Sequence, residues 1–336
     1  MPLFLAMLRS ETASEPDRMV AALDGLKAYQ AAPRAPRPDP MPAIAAAGRA
    51  MLRDYGCSGR PVVVVPSLIN PPDVLDLLPE ASLLRWLATQ GVRPLLVDWG
   101  TPSPDEKGLT IAGHVETLLL PLMEAAGRDA ALAGYCLGGT MALAAAAIRP
   151  PASLTLIAAP WRFTGFPDEA RRGLVELWQQ VQPTAEAMGL LPVEVLQSAF
   201  WRLDPRRTVE KFVAFGRAVR DEDAVRRFVA LEDWANDGAP LTPAAGQELA
   251  ETMFDQDATG AGLWSVAGQR VDPAKLACPV LDIVSTTDRI VPAASATGVG
   301  RRVTLAQGHV GMIVGGRARA TLWEPLAQWL TRPHDD

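Results

Sequence analysis

The sequence predicts an α/β fold with a mostly parallel sheet, flanked by helices and carrying a helical cap. Short, continuous apolar runs alternate with helical patterns from about residue 60 to residue 160, which is typical of parallel strands buried on both faces. Residues 161–278 are instead helical in pattern. A cysteine flanked by glycines lies where one apolar run gives way to a helix. Together these observations favour a sheet-based core with a cap inserted into it.

An N-terminal arm is expected to precede the core. Residues 15–29 have the pattern of an amphipathic helix, and residues 31–42 form a proline-rich link that resists regular structure. The predicted parts of the chain are therefore an arm over residues 1–59, a core over residues 60–160 and 279–336, and a mainly helical cap over residues 161–278.

Six apolar runs are expected to form strands of one sheet. Four of them precede the cap and two follow it. In an open parallel sheet, functional sites are built at the carboxyl ends of the strands, so the residues that follow each run are of most interest. The expected strands are Val62–Val65, Pro94–Val97, Ala130–Gly134, Leu154–Ala159, Val280–Val284 and Val303–Leu305.

Tryptophans are frequent in the predicted cap. Such residues usually pack in a core, and the alternative is that they line an apolar channel to a site. The five tryptophans of this segment are Trp161, Trp178, Trp201, Trp234 and Trp264.

The run GYCLGG at residues 134–139 is the most informative motif. It predicts a strand, a tight turn and a helix, with Cys136 on the turn, and Gly134 and Gly138 avoid collisions between Cβ atoms across that turn. A thiol at a helix N-terminus is stabilised as thiolate by exposed backbone N–H groups and by the helix dipole. The motif therefore predicts the nucleophile elbow of an α/β-hydrolase fold and a reaction of acyl transfer. The alternative is a buried, unreactive cysteine.

An acid and a base follow the nucleophile in the chain order of that fold. Asp288 lies in the loop beyond one apolar run, and His309 follows the last run between glycines. Asp282 lies inside its strand and is the weaker candidate. Of the three histidines, His114 belongs to a helical stretch that favours a structural role, and His334 belongs to the C-terminal tail. The sequence therefore predicts a triad of Cys136, Asp288 and His309.

The composition fits a soluble enzyme and disfavours a nucleic-acid-binding protein. With 336 residues, 49% hydrophobic and 21% charged, the chain can bury a sizeable core. Its net charge of −6 provides no basic surface to neutralise phosphates, so nucleic acid is not an expected partner.

Cofactors and a membrane location are also not expected. The three cysteines, at positions 57, 136 and 278, indicate neither a disulfide framework nor a zinc motif, and they favour a reducing cytoplasm. No metal-ligand spacing, phosphate loop or dinucleotide motif is found. The first residues lack the pattern of a signal peptide, and no apolar run is long enough for a transmembrane segment.

With the elbow, the triad order and the cap in place, the chain resembles the polyhydroxyalkanoate synthases, acyltransferases that make bacterial storage polyesters. The resemblance extends from about residue 60 to residue 331. It is closest to the short type of catalytic subunit, which works with a second, non-catalytic subunit. The segments that carry the resemblance are VVVVPSLIN, DLLPEASLLRWLATQG, LLVDWG, GYCLGGT, LEDWAND, CPVLDIVSTTDRIVP and GHVGMIVGG.

This resemblance implies roles for the site residues. Cys136 would be acylated by a hydroxyacyl-CoA thioester, which is a substrate and not a cofactor. His309 would deprotonate the thiol and later the 3-hydroxyl of an incoming unit, and Asp288 would orient His309. The backbone N–H groups of Leu137 and Ile69 are expected to bind the oxyanion. The implied product is a polyester, the implied partner is a second synthase subunit or a second copy of the chain, and the implied location is the cytoplasm, at the surface of polyester granules.

Two stretches depart from the family pattern and leave the size of the substrate open. Pro71 and Pro72 stand where the synthases usually have a basic residue and an aromatic residue, and residues 112–114 replace acidic and aromatic residues.

Two other functions are compatible with the fold. In a thioesterase or esterase, water would resolve the acyl-enzyme, and a non-catalytic granule-associated protein could retain the fold alone.

Overall fold

A computed structural model describes residues 2–34, 39–203, 205–218 and 221–332. His334 and the side chain of Trp201 lie outside the described residues. Contacts divide the chain into two compact units. We call them the helical unit, Met1–Asp39 with Val193–Gly238, and the sheet unit, Pro40–Pro192 with Ala239–Asp336.

The strands are β1 (Ala43–Ala47), β2 (Ala50–Asp54), β3 (Arg60–Val65), β4 (Val92–Asp98), β5 (Ala131–Tyr135), β6 (Leu154–Ile157), β7 (Ser265–Val266), β8 (Gln269–Arg270), β9 (Val280–Ser285) and β10 (Arg301–Leu305). The helices are α1 (Pro2–Glu11), α2 (Pro16–Ala31), α3 (Leu83–Thr89), α4 (Ile111–His114), α5 (Leu120–Ala126), α6 (Leu137–Ile148), α7 (Asp168–Met188), α8 (Val193–Leu203), α9 (Pro205–Ala218), α10 (Glu222–Ala235), α11 (Pro243–Gln247), α12 (Gly311–Val314) and α13 (Glu324–Thr331). Three π-helical segments, at Val115–Leu119, Glu248–Asp255 and Arg319–Trp323, adjoin α4, α11 and α13.

The sheet unit confirms the predicted fold class. Its main sheet has eight strands in the order β1-β2-β4-β3-β5-β6-β9-β10, and the six from β4 to β10 in this order are parallel. The central strands consist mostly of buried apolar residues because helices cover both faces of a parallel sheet. Each predicted strand overlaps an observed one. The loops after β5, β9 and β10 all leave the sheet at the same edge.

The sheet begins earlier in the chain than the predicted core boundary at residue 60. β1 and β2 pair antiparallel, and β2 continues the sheet by pairing antiparallel with β4. The sequences of these strands, AIAAA and AMLRD, are rich in alanine, which favours helices over strands. Tertiary pairing therefore overrides local preference here, and residues 43–54 belong to the sheet and not to an arm.

The helical unit joins the N-terminal helices to part of the predicted cap. The amphipathic pattern at residues 15–29 corresponds to α2, which packs against α9. Phe212 of α9 contacts the rings of Phe4, Tyr29 and Phe228 edge to face, at centroid distances of 5.2, 6.0 and 5.7 Å. α2 and α9 approach so closely that a Cβ on Gly25 would lie 1.9 Å from the Phe212 carbonyl oxygen. The predicted cap is thus divided, since residues 239–278 and α7 cluster with the sheet unit.

The described tryptophans of the predicted cap pack in cores. Trp161 and Trp264 of the sheet unit are buried and meet edge to face at 6.0 Å. The indole N–H groups of Trp264 and Trp178 donate to the carboxylates of Glu248 and Glu251, at 2.7 and 3.0 Å. Burial with a satisfied indole N–H is typical of core tryptophan. Among the described residues, no helix combines the length and the apolar character needed to cross a membrane.

Candidate active site

Cys136 lies on a strained turn between β5 and α6. Its backbone has φ 57° and ψ −133°, a conformation that costs a non-glycine residue about 1–3 kcal/mol. The Cys136 N–H donates to the Ile157 carbonyl of β6 at 2.9 Å, so the sheet ladder continues up to the turn. The half-buried thiol is thereby placed at the N-terminus of α6, at the carboxyl edge of the sheet. This is the geometry of a nucleophile elbow.

Glycines make this turn sterically possible. A Cβ on Gly134 would lie 2.5 Å from the Gly138 carbonyl oxygen, and a Cβ on Gly139 would lie 2.3 Å from the Cβ of Ala159. A Cβ on Gly138 would lie 2.2 Å from the Val65 carbonyl oxygen. The elbow therefore packs directly on the backbone that leaves β3, which is the loop expected to contribute to the oxyanion hole.

Replacing Gly138 with alanine is expected to lower the free energy of unfolding by about 2–3 kcal/mol, because the backbone of either the elbow or the β3 loop must move. Urea denaturation measures the effect. The matched control is Gly173→Ala on α7, where an added Cβ meets no described heavy atom within 4 Å outside its own helix. Equal unfolding midpoints for the two variants would contradict the close packing of the elbow.

Asp288 is held rigidly in the loop after β9. Its Oδ1 accepts hydrogen bonds from the backbone N–H groups of Ile290 and Val291, at 2.8 and 3.0 Å. Its Oδ2 lies 2.6 Å from Nδ1 of His309. The side chain is fully buried. Because both oxygens have partners, the carboxylate is fixed in the orientation that a histidine needs from its acid.

His309 lies in the loop between β10 and α12 and is also buried. Burial alone would disfavour its charged form, but the charge of Cys136 and the hydrogen bonds with Asp288 and Cys136 outweigh this and raise the pKa of His309 to about 10. Since Nδ1 faces Asp288, Nε2 is the nitrogen left for the thiol. The structure therefore brings the three predicted residues together, with the His309 imidazole between the Asp288 carboxylate and the Cys136 side chain.

The two backbone groups predicted for the oxyanion hole differ in their surroundings. Leu137 is the first residue of α6, a position whose N–H has no acceptor within the helix. The Ile69 N–H donates to Oγ of Ser67 at 3.2 Å, so an oxyanion would have to replace this hydroxyl. The Ser67 hydroxyl was not predicted as a partner of this N–H, although a serine two residues before a turn amide is a common local acceptor.

The weaker candidates are held in other interactions. Asp282 is buried in β9 and accepts from the Arg302 guanidinium at 3.0 Å. His114 is buried, with Nδ1 2.7 Å from the Thr110 carbonyl oxygen and Nε2 2.7 Å from the Arg49 guanidinium. Burial lowers the pKa of His114 to about 4, so its ring is neutral. Across residues 2–34, 39–203, 205–218 and 221–332, no cluster of three or more His, Cys, Asp or Glu side chains is arranged to hold a metal ion.

Solved structures show the fold. An epoxide hydrolase from Bacillus megaterium superposes with a TM-score of 0.54 at 13% identity, covering 85% of this chain and 99% of that structure. The Mycobacterium tuberculosis protein Rv0554 superposes with a TM-score of 0.51 at 19% identity, covering 82% of this chain and 92% of that structure. No protein-family model matches the chain.

Curated sequences show the relationship. The poly(3-hydroxyalkanoate) polymerase subunit PhaC of Haloferax mediterranei is 30% identical over 290 residues, which are 80% of this chain and 58% of that protein. The subunit of the same name from Haloarcula marismortui is 27% identical, over 80% of this chain and 60% of that protein. The one from Allochromatium vinosum is 27% identical over 80% of each chain. This chain thus spans less than two thirds of the relatives from Haloferax mediterranei and Haloarcula marismortui. It has the α/β-hydrolase fold and is a homologue of the poly(3-hydroxyalkanoate) polymerase subunits.

Proposed function

We propose that this protein is a polyhydroxyalkanoate synthase, an acyltransferase that polymerises (R)-3-hydroxyacyl-CoA into polyester and releases CoA. The observation that carries the proposal is a thiol on the nucleophile elbow, beside a buried Asp288–His309 pair, in a homologue of polymerase subunits. The triad of Cys136, Asp288 and His309 is part of the proposal.

In the first half of the cycle, the Cys136 thiolate attacks the carbonyl carbon of the bound thioester. The new C–S bond forms as the bond to the CoA sulfur breaks, and the His309 imidazolium donates its proton to the departing CoA thiolate. The Leu137 N–H stabilises the developing oxyanion, together with the Ile69 N–H once the oxyanion replaces the Ser67 hydroxyl as its acceptor. The products are free CoA and an acyl group on Cys136.

In the second half, neutral His309 removes the proton from the 3-hydroxyl of an incoming unit. The alkoxide oxygen attacks the acyl carbonyl, an ester bond forms, and the Cys136 sulfur leaves as thiolate beside the imidazolium. Asp288 keeps Nδ1 protonated throughout, so Nε2 is the site of exchange. A thioester on sulfur suits this cycle because the acyl group stays activated for attack by an alcohol.

The cysteine nucleophile supports transfer to a hydroxyl over hydrolysis. An acyl group on sulfur stays activated for attack by an alcohol, whereas hydrolases of this fold usually use a serine at the elbow. We propose further that the enzyme acts in the cytoplasm at the surface of polyester granules, with a second synthase subunit or a second copy of the chain. The relatives are named as subunits of a polymerase, which supports a second subunit as the partner.

The test is incubation of the purified protein with 3-hydroxybutyryl-CoA, with free CoA and the acyl product measured together. We expect CoA release to be matched by insoluble polyester. Release matched by free 3-hydroxybutyrate would instead assign a thioesterase. Unchanged CoA release from the Cys136→Ala variant would show that the activity comes from elsewhere.

A further inference from the structure

Tyr135, the last residue of β5, contacts the base of the site, although the reaction steps above give it no role. Its ring stacks on the imidazole of His309, with centroids 4.9 Å apart and planes inclined by 24°. Its hydroxyl donates a hydrogen bond to the His309 carbonyl oxygen at 3.2 Å. The side chain is buried. One residue therefore contacts both the ring and the backbone of His309.

The ring contact restrains a motion that Asp288 leaves free. The hydrogen bond between Nδ1 and Asp288 fixes one edge of the imidazole, at 2.6 Å, but a ring held at one edge can still turn about that N···O axis. A flat aromatic surface against one face of the imidazole opposes this rotation. The orientation of Nε2 toward Cys136 therefore depends on both contacts.

The hydroxyl contact restrains the backbone of the loop. Gly308 and Gly311 flank His309 closely, and glycine gives a loop more conformational freedom than other residues. The start of the loop is held from β9, since the Thr286 N–H donates to the Leu305 carbonyl at 3.0 Å. Tyr135 adds an anchor at His309 itself. This anchor comes from the residue directly before the nucleophile.

We propose that Tyr135 is a positioning residue that keeps the imidazole of His309 oriented toward Cys136, through the stacked ring and the hydroxyl. The role in turnover rests on the proposed acyl transfer, whereas the effect on His309 does not. Because Tyr135 ends β5 and Cys136 follows it directly on the turn, the nucleophile and the support of its base are fixed by the same stretch of backbone.

The titration of His309 gives a readout that a merely structural role would not move. Among the described residues, the titratable groups that act on the imidazole are the Asp288 carboxylate and the Cys136 thiol. Burial raises the pKa of Tyr135 itself, so its hydroxyl stays neutral and adds no charge. An electron-rich ring face stabilises the imidazolium. Loss of the ring is therefore expected to lower the pKa of His309.

The experiment follows the ring nitrogens of ¹⁵N-labelled histidine by NMR between pH 6 and 11. The chain has only three histidines, and His309→Asn assigns the signal. In the wild-type protein we expect His309 to stay protonated through neutral pH and to lose its proton near pH 10. For Tyr135→Leu we expect a pKa lower by about 1 unit and a kcat lower by about tenfold, with KM unchanged.

Tyr135→Phe separates the two contacts, because it keeps the ring and removes the hydroxyl. We expect it to retain the wild-type pKa of His309 and to lose about threefold in kcat. The matched control is Tyr55→Phe. Tyr55 lies in the same unit and packs against the Arg85 guanidinium, so its replacement is expected to change neither quantity.

A folded Tyr135→Leu variant with the wild-type titration of His309 and the wild-type kcat would overturn the proposal. If that variant fails to fold, Tyr135→Phe decides, since a kcat equal to that of Tyr55→Phe would also overturn it. If the wild-type protein makes no polyester, the proposed function fails while the NMR comparison still tests the positioning of His309.

Discussion

Replacing Cys136 with alanine is expected to reduce CoA release from 3-hydroxybutyryl-CoA by a factor on the order of 10³ or more. The variant lacks the atom that would receive the acyl group. Cys136→Ser is expected to lose nearly as much, because a hydroxyl does not give up its proton to His309 as a thiol does. The initial rate of CoA release, measured at saturating substrate, gives the comparison.

The other two cysteines provide matched controls. Cys57 is exposed, and burial raises the pKa of the Cys278 thiol to about 11, so that thiol is mostly protonated at neutral pH. Cys57→Ser and Cys278→Ser are each expected to retain CoA release within a factor of about two. A Cys136→Ala variant as active as these controls would contradict the role of Cys136.

Replacing Asp288 with asparagine is expected to lower kcat by about 10³- to 10⁴-fold while the fold is retained. The amide can still accept the backbone hydrogen bonds of Ile290 and Val291 through its oxygen. Its NH₂ group would then face Nδ1 of His309, which favours the tautomer with the proton on Nε2. That tautomer cannot accept a proton from the thiol.

Asp282→Asn is the matched control, since Asp282 is a buried carboxylate within β9, the strand that leads to the Asp288 loop, and has Arg302 as its partner. This variant is expected to lose stability, because it leaves the Arg302 charge without its carboxylate, but to keep the kcat of the folded protein. A loss of kcat for Asp282→Asn as large as that for Asp288→Asn would contradict the assignment of the acid.

The parallel strands and the elbow could be predicted because their signals are local. A buried parallel strand must be apolar along its whole length, and a nucleophile turn needs glycines at fixed offsets from the cysteine. The carboxyl ends of such strands meet at one edge, so the sequence also indicated that Asp288 and His309 would lie near Cys136. The hydrogen bond at 2.6 Å between Asp288 and His309 shows that the loops after β9 and β10 meet.

The features that were not predicted depend on contacts between distant parts of the chain. β1 and β2 are alanine-rich and become strands only through pairing with β4. Tyr135 lies next to the predicted nucleophile, yet its stacking on His309 arises from the arrangement of β5 beside the loop that follows β10. Similarly, the packing of α2 on α9 joins two segments that local patterns assign to separate parts of the chain.

The most direct test of the central claim is to find the acyl group on Cys136. Butyryl-CoA can acylate the thiol but carries no 3-hydroxyl, so the cycle is expected to stop at the acyl-enzyme. Intact-mass and peptide mass spectrometry after rapid quenching should then show one butyryl group per chain, located on the peptide that contains Cys136 and missing from Cys136→Ala. Release of CoA without an acyl group on this peptide, or an acyl group on another residue, would contradict covalent catalysis by Cys136.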